Sequence, residues 1–232
     1  MRKLEAMTTT LITGANKGLG LEAVRRLIAA GHTVYAGMRD LSQGERAERL
    51  GAHVVELDVT DDDSVATALG YLPELDVLIN NAGIGGSRTR VDDSTASEVH
   101  RVFETNFYSI VRVTQVALPL LRRSSNPVIV NVASGMGFPR FVVDPQREES
   151  TFASLGYPTS KAAVIMLSLQ YSKLLPEMRV NAVDPGYTAT DLNGHRGSQT
   201  VTEGTDAIVA MATISPDGPT GTFSDREGVI SY

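Results

Sequence analysis

Short β-branched runs recur along this chain, and longer stretches of helical period fill the gaps between them. That alternation calls for a parallel sheet, because each strand–helix–strand unit crosses over in the same sense and leaves helices on both faces. Strands are expected near Thr9–Thr13, Thr33–Met38, His53–Leu57, Val77–Asn80, Val128–Val132 and Arg179–Val183, with a seventh around Thr222. Helices are expected over Gly18–Ala30, Gln43–Leu50, Asp62–Leu69, Thr95–Leu121, Pro158–Leu174 and Val201–Ala212. The fold class is therefore α/β, a doubly wound sheet. A length of 232 residues suits one such domain over 7–232, with residues 1–6 read as a leader outside the fold. The longest irregular stretch is Gly135 to Gly156, and loops of that length in compact domains tend to be functional.

Composition removes several classes of activity. With 21 Lys+Arg against 27 Asp+Glu the net charge is -6, which argues against nucleic acid or an anionic membrane as the partner. The absence of cysteine excludes disulfides, thiolate metal sites and cysteine nucleophiles. His32, His53, His100 and His195 form no metal-spaced pair, so no metal is expected. No run approaches the ~18–20 apolar residues of a membrane span, and a cytoplasmic location is expected. The 42% hydrophobic content is enough for a sizeable core.

The first strand runs directly into Gly14-Ala15-Asn16-Lys17-Gly18-Leu19-Gly20, followed by a helix with apolar Leu21, Val24, Leu27 and Ile28. Glycine suits such a junction because the backbone must turn tightly and let a phosphate approach without Cβ interference. The helix N-terminus then offers unpaired N–H groups and a partial positive charge.

The spacing Gly-x-x-x-Gly-x-Gly resembles the Thr-Gly-x-x-x-Gly-x-Gly motif of the short-chain dehydrogenase/reductase family, and further motifs follow in that family's order. These are Asn80-Asn81-Ala82-Gly83, Ser134 after the fifth strand, Tyr157-Pro158-Thr159-Ser160-Lys161, and Asp184-Pro185-Gly186-Tyr187-Thr188. The resemblance spans residues 9 to 224, and is strongest to carbonyl-reductase-like members in Thr13–Gly20, Met38-Arg39-Asp40 and Asp217–Gly221. It implies a Rossmann-type sheet of about seven strands in the order 3-2-1-4-5-6-7. Activity on a carbonyl or alcohol, a small-molecule substrate and a monomeric or homo-oligomeric state are implied as well.

Tyr157 and Lys161 are four residues apart at a helix start, so their side chains share a face. A free tyrosine has a pKa of about 10, and an adjacent ammonium favours its phenolate. The resemblance casts Tyr157 as general acid in reduction and general base in oxidation. It gives Lys161 the nicotinamide ribose, Ser134 the substrate oxygen, and Asn106 a water linking Lys161 to solvent. Among cofactor residues it implies Gly14, Asn16, Lys17, Gly18, Leu19, Gly20, Asp58 at the adenine, Val59, Asn81, Ala82, Gly83, Pro185, Gly186, and Thr188 at the carboxamide.

Cofactor choice turns on the second strand, which ends in Met38 where an NAD enzyme offers a carboxylate. Arg39 and Lys17 together suit a 2′-phosphate, so NADPH/NADP+ is expected, with Asp40 as the one acid near enough to favour NAD. The stretch between Ser134 and Tyr157 carries an insertion like that of monomeric carbonyl reductases. Its apolar residues suit a wall over the substrate or a packing loop unconnected with it; Phe138 and Phe141, with Tyr187, are candidate substrate contacts, which implies a hydrophobic ketone, aldehyde or secondary alcohol. The alternatives are an NAD-dependent alcohol dehydrogenase of the same family and a non-catalytic NADP-binding sensor.

Overall fold

The computed structural model describes residues 7–86 and 91–231, so the expected leader lies outside the described residues. Eight strands form one sheet: β1 (Thr9–Thr13), β2 (Thr33–Met38), β3 (His53–Glu56), β4 (Val77–Asn80), β5 (Val128–Val132), β6 (Arg179–Val183), β7 (Phe223–Asp225) and β8 (Gly228–Ile230). Their order is β3-β2-β1-β4-β5-β6-β7-β8. All neighbours pair in parallel except the β7–β8 hairpin at the edge. The first seven match the expected order. The hairpin strand β8 was not expected, because its short, half-polar sequence carries no apolar periodicity.

Successive residues of the central strands point to opposite faces, and both faces are covered. Ile12, Ile79, Val128 and Val130 pack under helix α1 (Gly18–Ala29), whose Leu21, Val24 and Leu27 recur at helical spacing and are buried. Leu11, Leu78 and Ile129 turn the other way, against α3 (Asp62–Gly70) and α5 (Ser109–Leu121). Burying such a side chain stabilises the fold by roughly 1.5–3 kcal/mol. A third cluster joins Phe138, Phe141 and Phe223 to Val164 and Ile165 of α7 (Tyr157–Leu174).

Three expected helices are broken. The stretch 43–50 becomes a 3₁₀ turn Leu41–Gln43 and a short α2 (Glu45–Arg49). The insertion folds into turns around α6 (Pro139–Val142), and 201–212 divides at Thr205 into α8 (Val201–Gly204) and α9 (Asp206–Ala212). Most consequential, 95–121 is α4 (Ala96–Phe103), a π-helical turn at Glu104–Tyr108, and α5. Among the described residues no helix is long and apolar enough to cross a membrane.

Candidate active site

At the C-terminal ends of the strands a cleft of about 1120 Å³ opens where the connections from β1 and β4 diverge. Its floor is the glycine turn. Gly14 has φ +65°, and a Cβ there would lie 2.9 Å from the Cα of Ala82, so no side chain fits. Asn81 fixes the opposing wall: its Nδ2 donates to the carbonyls of Thr13 at 2.8 Å and Gly14 at 3.1 Å. The amides of Asn81 and Ala82 donate to Thr13 Oγ1, both at 3.0 Å. Helix α1 begins with no side-chain cap and no acid in its first turn, which leaves its positive end directed into the cleft. Asn16, Lys17, Gly18, Leu19, Gly20, Arg39, Asp58, Val59 and Gly83 also line the space.

The outer end of the cleft is cationic. Arg39 is exposed beside Asp58, and Arg46 and Arg49 line the rim. Those last two were missed by sequence reasoning, although their i,i+3 spacing after Asp40 was a usable signal. Met38 is buried at the strand end. Asp40 is already engaged: Oδ1 accepts from the Ser42 amide at 3.0 Å and hydroxyl at 2.6 Å, and Oδ2 from Gln43 Nε2 at 3.0 Å. Those bonds hold its carboxyl below the usual range. Asp58 is opposed by burial, but two bonds from Thr60 and the charges of Arg39 and Arg112 keep its pKa low as well. Lys17 forms an ion pair with Asp191 at 2.7 Å, and Asp191 also meets His195 Nε2 at 2.7 Å.

Beyond Gly83 stand the four expected catalytic residues. A Cβ on Gly83 would lie 3.6 Å from Lys161 Nζ and 3.3 Å from Asn106 Oδ1. Lys161 is buried, donates to the carbonyl of Val132 at 2.7 Å, and has its Nζ 5.7 Å from the ring centroid of Tyr157. The Tyr157 hydroxyl faces that of Ser134. Ser134 also accepts the amide of Met136 at 3.2 Å and caps the turn Gly135–Gly137. That turn rests directly on α7, since a Cβ on Gly137 would fall 2.4 Å from the carbonyl carbon of Lys161. Asn106 sits in the π turn, fully buried. Its Oδ1 accepts from Ile84 N at 2.8 Å, while Nδ2 donates to Ile84 O and to Ser160 Oγ, both at 3.0 Å.

Electrostatics here depart from the sequence expectation. Desolvation pushes the Tyr157 hydroxyl up to about 12, against the Ser134 hydrogen bond and with the charge of Asp184 adding to the rise. Desolvation also brings Lys161 down to about 8, opposed by Asp184. The ammonium is directed at Val132 O and not at the phenol, so in this structure burial outweighs it and Tyr157 holds its proton.

Residues 8–201 match the family model of the short chain dehydrogenases. The chain belongs to that family. It is 29% identical to a (+)-neomenthol dehydrogenase of Capsicum annuum, covering 96% of this chain and 96% of that protein. It is 33% identical to the short-chain dehydrogenase anuI of Penicillium roqueforti, with 95% and 94% covered. The solved structure of salutaridine reductase from Papaver somniferum superposes with a TM-score of 0.81 at 25% identity, over 93% of this chain and 99% of that one. Short-chain dehydrogenases are oxidoreductases that bind nicotinamide cofactors, and the uncapped helix, the Cβ-free cradle and the cationic rim fit such a group.

Four expected contacts of this short-chain dehydrogenase turn to protein neighbours. The rings of Phe138 and Phe141 meet edge to face at 5.0 Å, Phe138 packs 5.6 Å from Phe223, and both are buried. An apolar residue in a long loop reads alike whether it faces substrate or core, and Phe223, the deciding partner, is distant in sequence. Tyr187 is partly exposed and packs 5.7 Å from the ring of Phe152 in the insertion, a contact that sequence reasoning missed. Thr188 is turned inward, donating to Pro185 O at 2.8 Å, while Thr190 lines the cleft. Pro185 is buried, and Gly186 is exposed beside it with φ +68°.

Proposed function

We propose that this protein is an NADPH-dependent carbonyl reductase, working reversibly as an alcohol dehydrogenase on a hydrophobic ketone, aldehyde or secondary alcohol, with Tyr157 as general acid and base. The observation that carries this reading is the placement of Tyr157 one helical turn from the buried Lys161, whose Nζ is 5.7 Å from its ring, with the Ser134 turn resting on the same helix. NADPH, when bound, supplies the hydride.

Gly14, Gly18, Leu19, Gly20 and the α1 amides hold the pyrophosphate, and Arg39 and Lys17 the 2′-phosphate. Commitment of Asp40 to Ser42 and Gln43 supports the phosphorylated cofactor, because that carboxylate is already hydrogen-bonded. Ser134 holds the substrate oxygen, where negative charge develops, and Tyr157 delivers the proton to it. Lys161 holds the ribose and offsets that charge. Both donors of the Asn106 amide are committed, so the water role falls to the main chain of its widened turn. Tyr187 and Phe152 form the apolar side of the substrate space. Relatives named for (+)-neomenthol and salutaridine support a small-molecule alcohol or carbonyl.

The test is titration with NADPH and NADH, followed by loss of reduced-nicotinamide absorbance as hydrophobic ketones and aldehydes are added. NADPH oxidation on any of them, lowered by orders of magnitude in Tyr157→Phe while NADPH affinity stays within a few-fold, is the expected result. Tight binding with no turnover in either direction would favour a non-catalytic binder.

A further inference from the structure

Strands β5 and β6 end in two adjoining turns, Ser134–Gly135 and Pro185–Gly186, and one side chain reaches both. Asp184 is 5% exposed. Its Oδ1 accepts the amide of Gly186 at 2.9 Å, and the carboxylate faces the amide of Gly135 with Oδ2 against that residue. Its own amide donates to Ser224 O at 2.8 Å, so β7 fixes the backbone behind it.

A second carboxylate converges on the same spot. A Cβ on Gly135 would fall 2.7 Å from Asp184 Oδ2 and 2.6 Å from Glu149 Oε1. Glu149 belongs to the insertion, where Arg147 grips it with bonds of 3.1 and 3.0 Å and lies 3.5 Å from the Phe141 ring centroid. The other titratable groups facing Asp184 are Asp225 on β7 and Tyr157 and Lys161 on α7.

A carboxylate is the side chain suited to this place, because it accepts from two amides at once while an amide side chain presents one acceptor and one donor. Without it, two N–H groups would be left seeking partners beside the catalytic serine. Burial raises the Asp184 carboxyl, Glu149 and Asp225 add to that rise, and the two amides act against it. The Arg147 cation couples to Asp184 with the opposite sign to Glu149.

We propose that Asp184 is a positioning residue whose carboxylate clamps the Ser134–Gly135 turn to the Pro185–Gly186 turn, with the Arg147–Glu149 pair of the insertion setting how far that clamp is ionised. The inference rests on the carbonyl-reductase reading of Ser134 and Tyr157. It adds a link from the insertion to the serine that needs no contact with substrate.

The test uses the full chain with Asp184→Asn, Glu149→Gln and Arg147→Met. Amide exchange at residues 133–137 and 184–188 reads the clamp without substrate, and the pH profile of kcat and KM reads its effect on the reaction. In Asp184→Asn the amide of Gly135 faces a donor. Its exchange rises at least tenfold, and kcat falls at least tenfold with KM within threefold.

Glu149→Gln moves the acid limb of kcat, and the pH at which Gly135 loses protection, downward. Arg147→Met moves both upward, because losing the anion eases ionisation of Asp184 and losing the cation hinders it. Unchanged exchange in Asp184→Asn, or profiles of the other two variants that superpose on the parent, would overturn the inference. Should Asp184→Asn not fold, the opposite shifts of the other pair decide. If the parent protein turns over no carbonyl, the reductase reading fails, and the exchange shifts still decide the clamp.

Discussion

The Nζ of Lys161 stands 5.7 Å from the ring centroid of Tyr157 and donates its proton to the Val132 carbonyl at 2.7 Å. The two residues are thus neighbours with separate hydrogen-bond partners. Burial disfavours the charged form of each: the phenol is pushed up to about 12 and stays neutral, while the ammonium is brought down to about 8 and still carries its charge at neutral pH. Proton donation by Tyr157 then persists through the alkaline range. The limb expected first on raising the pH is that of Lys161, with reduction falling as pH passes about 8. A kcat profile that stays level to pH 10 would contradict the assignment.

The same burial has a consequence for stability. Because the folded-state pKa of Lys161 is depressed, the stability linked to it is present above its ordinary value near ~10.5 and is lost as the pH falls through about 8. The shift corresponds to about 3 kcal/mol at neutral pH. Lys161→Met gives up the bond to Val132 O, worth about 1 kcal/mol, and escapes the charge penalty. The variant should be inactive yet about 2 kcal/mol more stable at pH 7. Urea midpoints of both proteins at pH 7 and pH 10 check this, and parallel pH dependence in the two would sink it.

Asn106 makes a sharper stability prediction. In Asn106→Ala the half-buried N–H and C=O of Ile84 lose their partners and Ser160 loses a donor. Unsatisfied groups of this kind cost about 1–3 kcal/mol each, so a loss of about 3 kcal/mol is expected together with reduced kcat. Denaturant unfolding measures the first and single-turnover kinetics the second; a variant as stable as the parent would mean that the π turn does not depend on this side chain.

Asn106 also shows where sequence reading stops. The resemblance implied a role for it, and an asparagine inside an apolar-periodic helix invites explanation. But periodicity continues through Thr95–Leu121, so nothing local signals that the helix widens by a residue there. Strands β1 to β6 were legible because apolar runs alternate with helical stretches, and the order of β1 to β7 followed from the resemblance. The glycine turn and the Tyr157–Lys161 pair were legible because their geometry depends on short spacing. The orientations of Phe138, Phe141 and Thr188 were not legible because long-range partners decide them: Phe223 for the rings, and the pairing of Thr188 with Gln199 for the threonine.

Arg39 tests cofactor choice. It is exposed at the end of β2 with Asp58 as its electrostatic neighbour, and a bidentate guanidinium–phosphate contact is stronger than a contact to a ribose hydroxyl. Arg39→Ala is expected to weaken NADPH at least tenfold and NADH about twofold or less. Equal losses in the two titrations would show that the arginine only packs.

Lys17 offers an independent reading of the same pocket, through its partner. It is paired at 2.7 Å with Asp191, whose carboxyl is held below the ordinary range by the Lys17 and His195 hydrogen bonds. Both side chains are more than half exposed, at 58% and 51%, so the pair itself contributes little to stability. For the 2′-phosphate the carboxylate is a competitor: Lys17 must leave Asp191, or share itself, to reach the anion, and a nearby negative charge opposes the phosphate as well. Asp191→Asn removes the charge and keeps an acceptor. It should tighten NADPH about threefold and leave NADH and the urea midpoint unchanged. The tightening should fade at high salt, because an exposed charge acts through screened electrostatics. Isothermal titration at low and high ionic strength with both cofactors decides it: a variant that binds NADPH no better than the parent at low salt would place Lys17 outside the phosphate site.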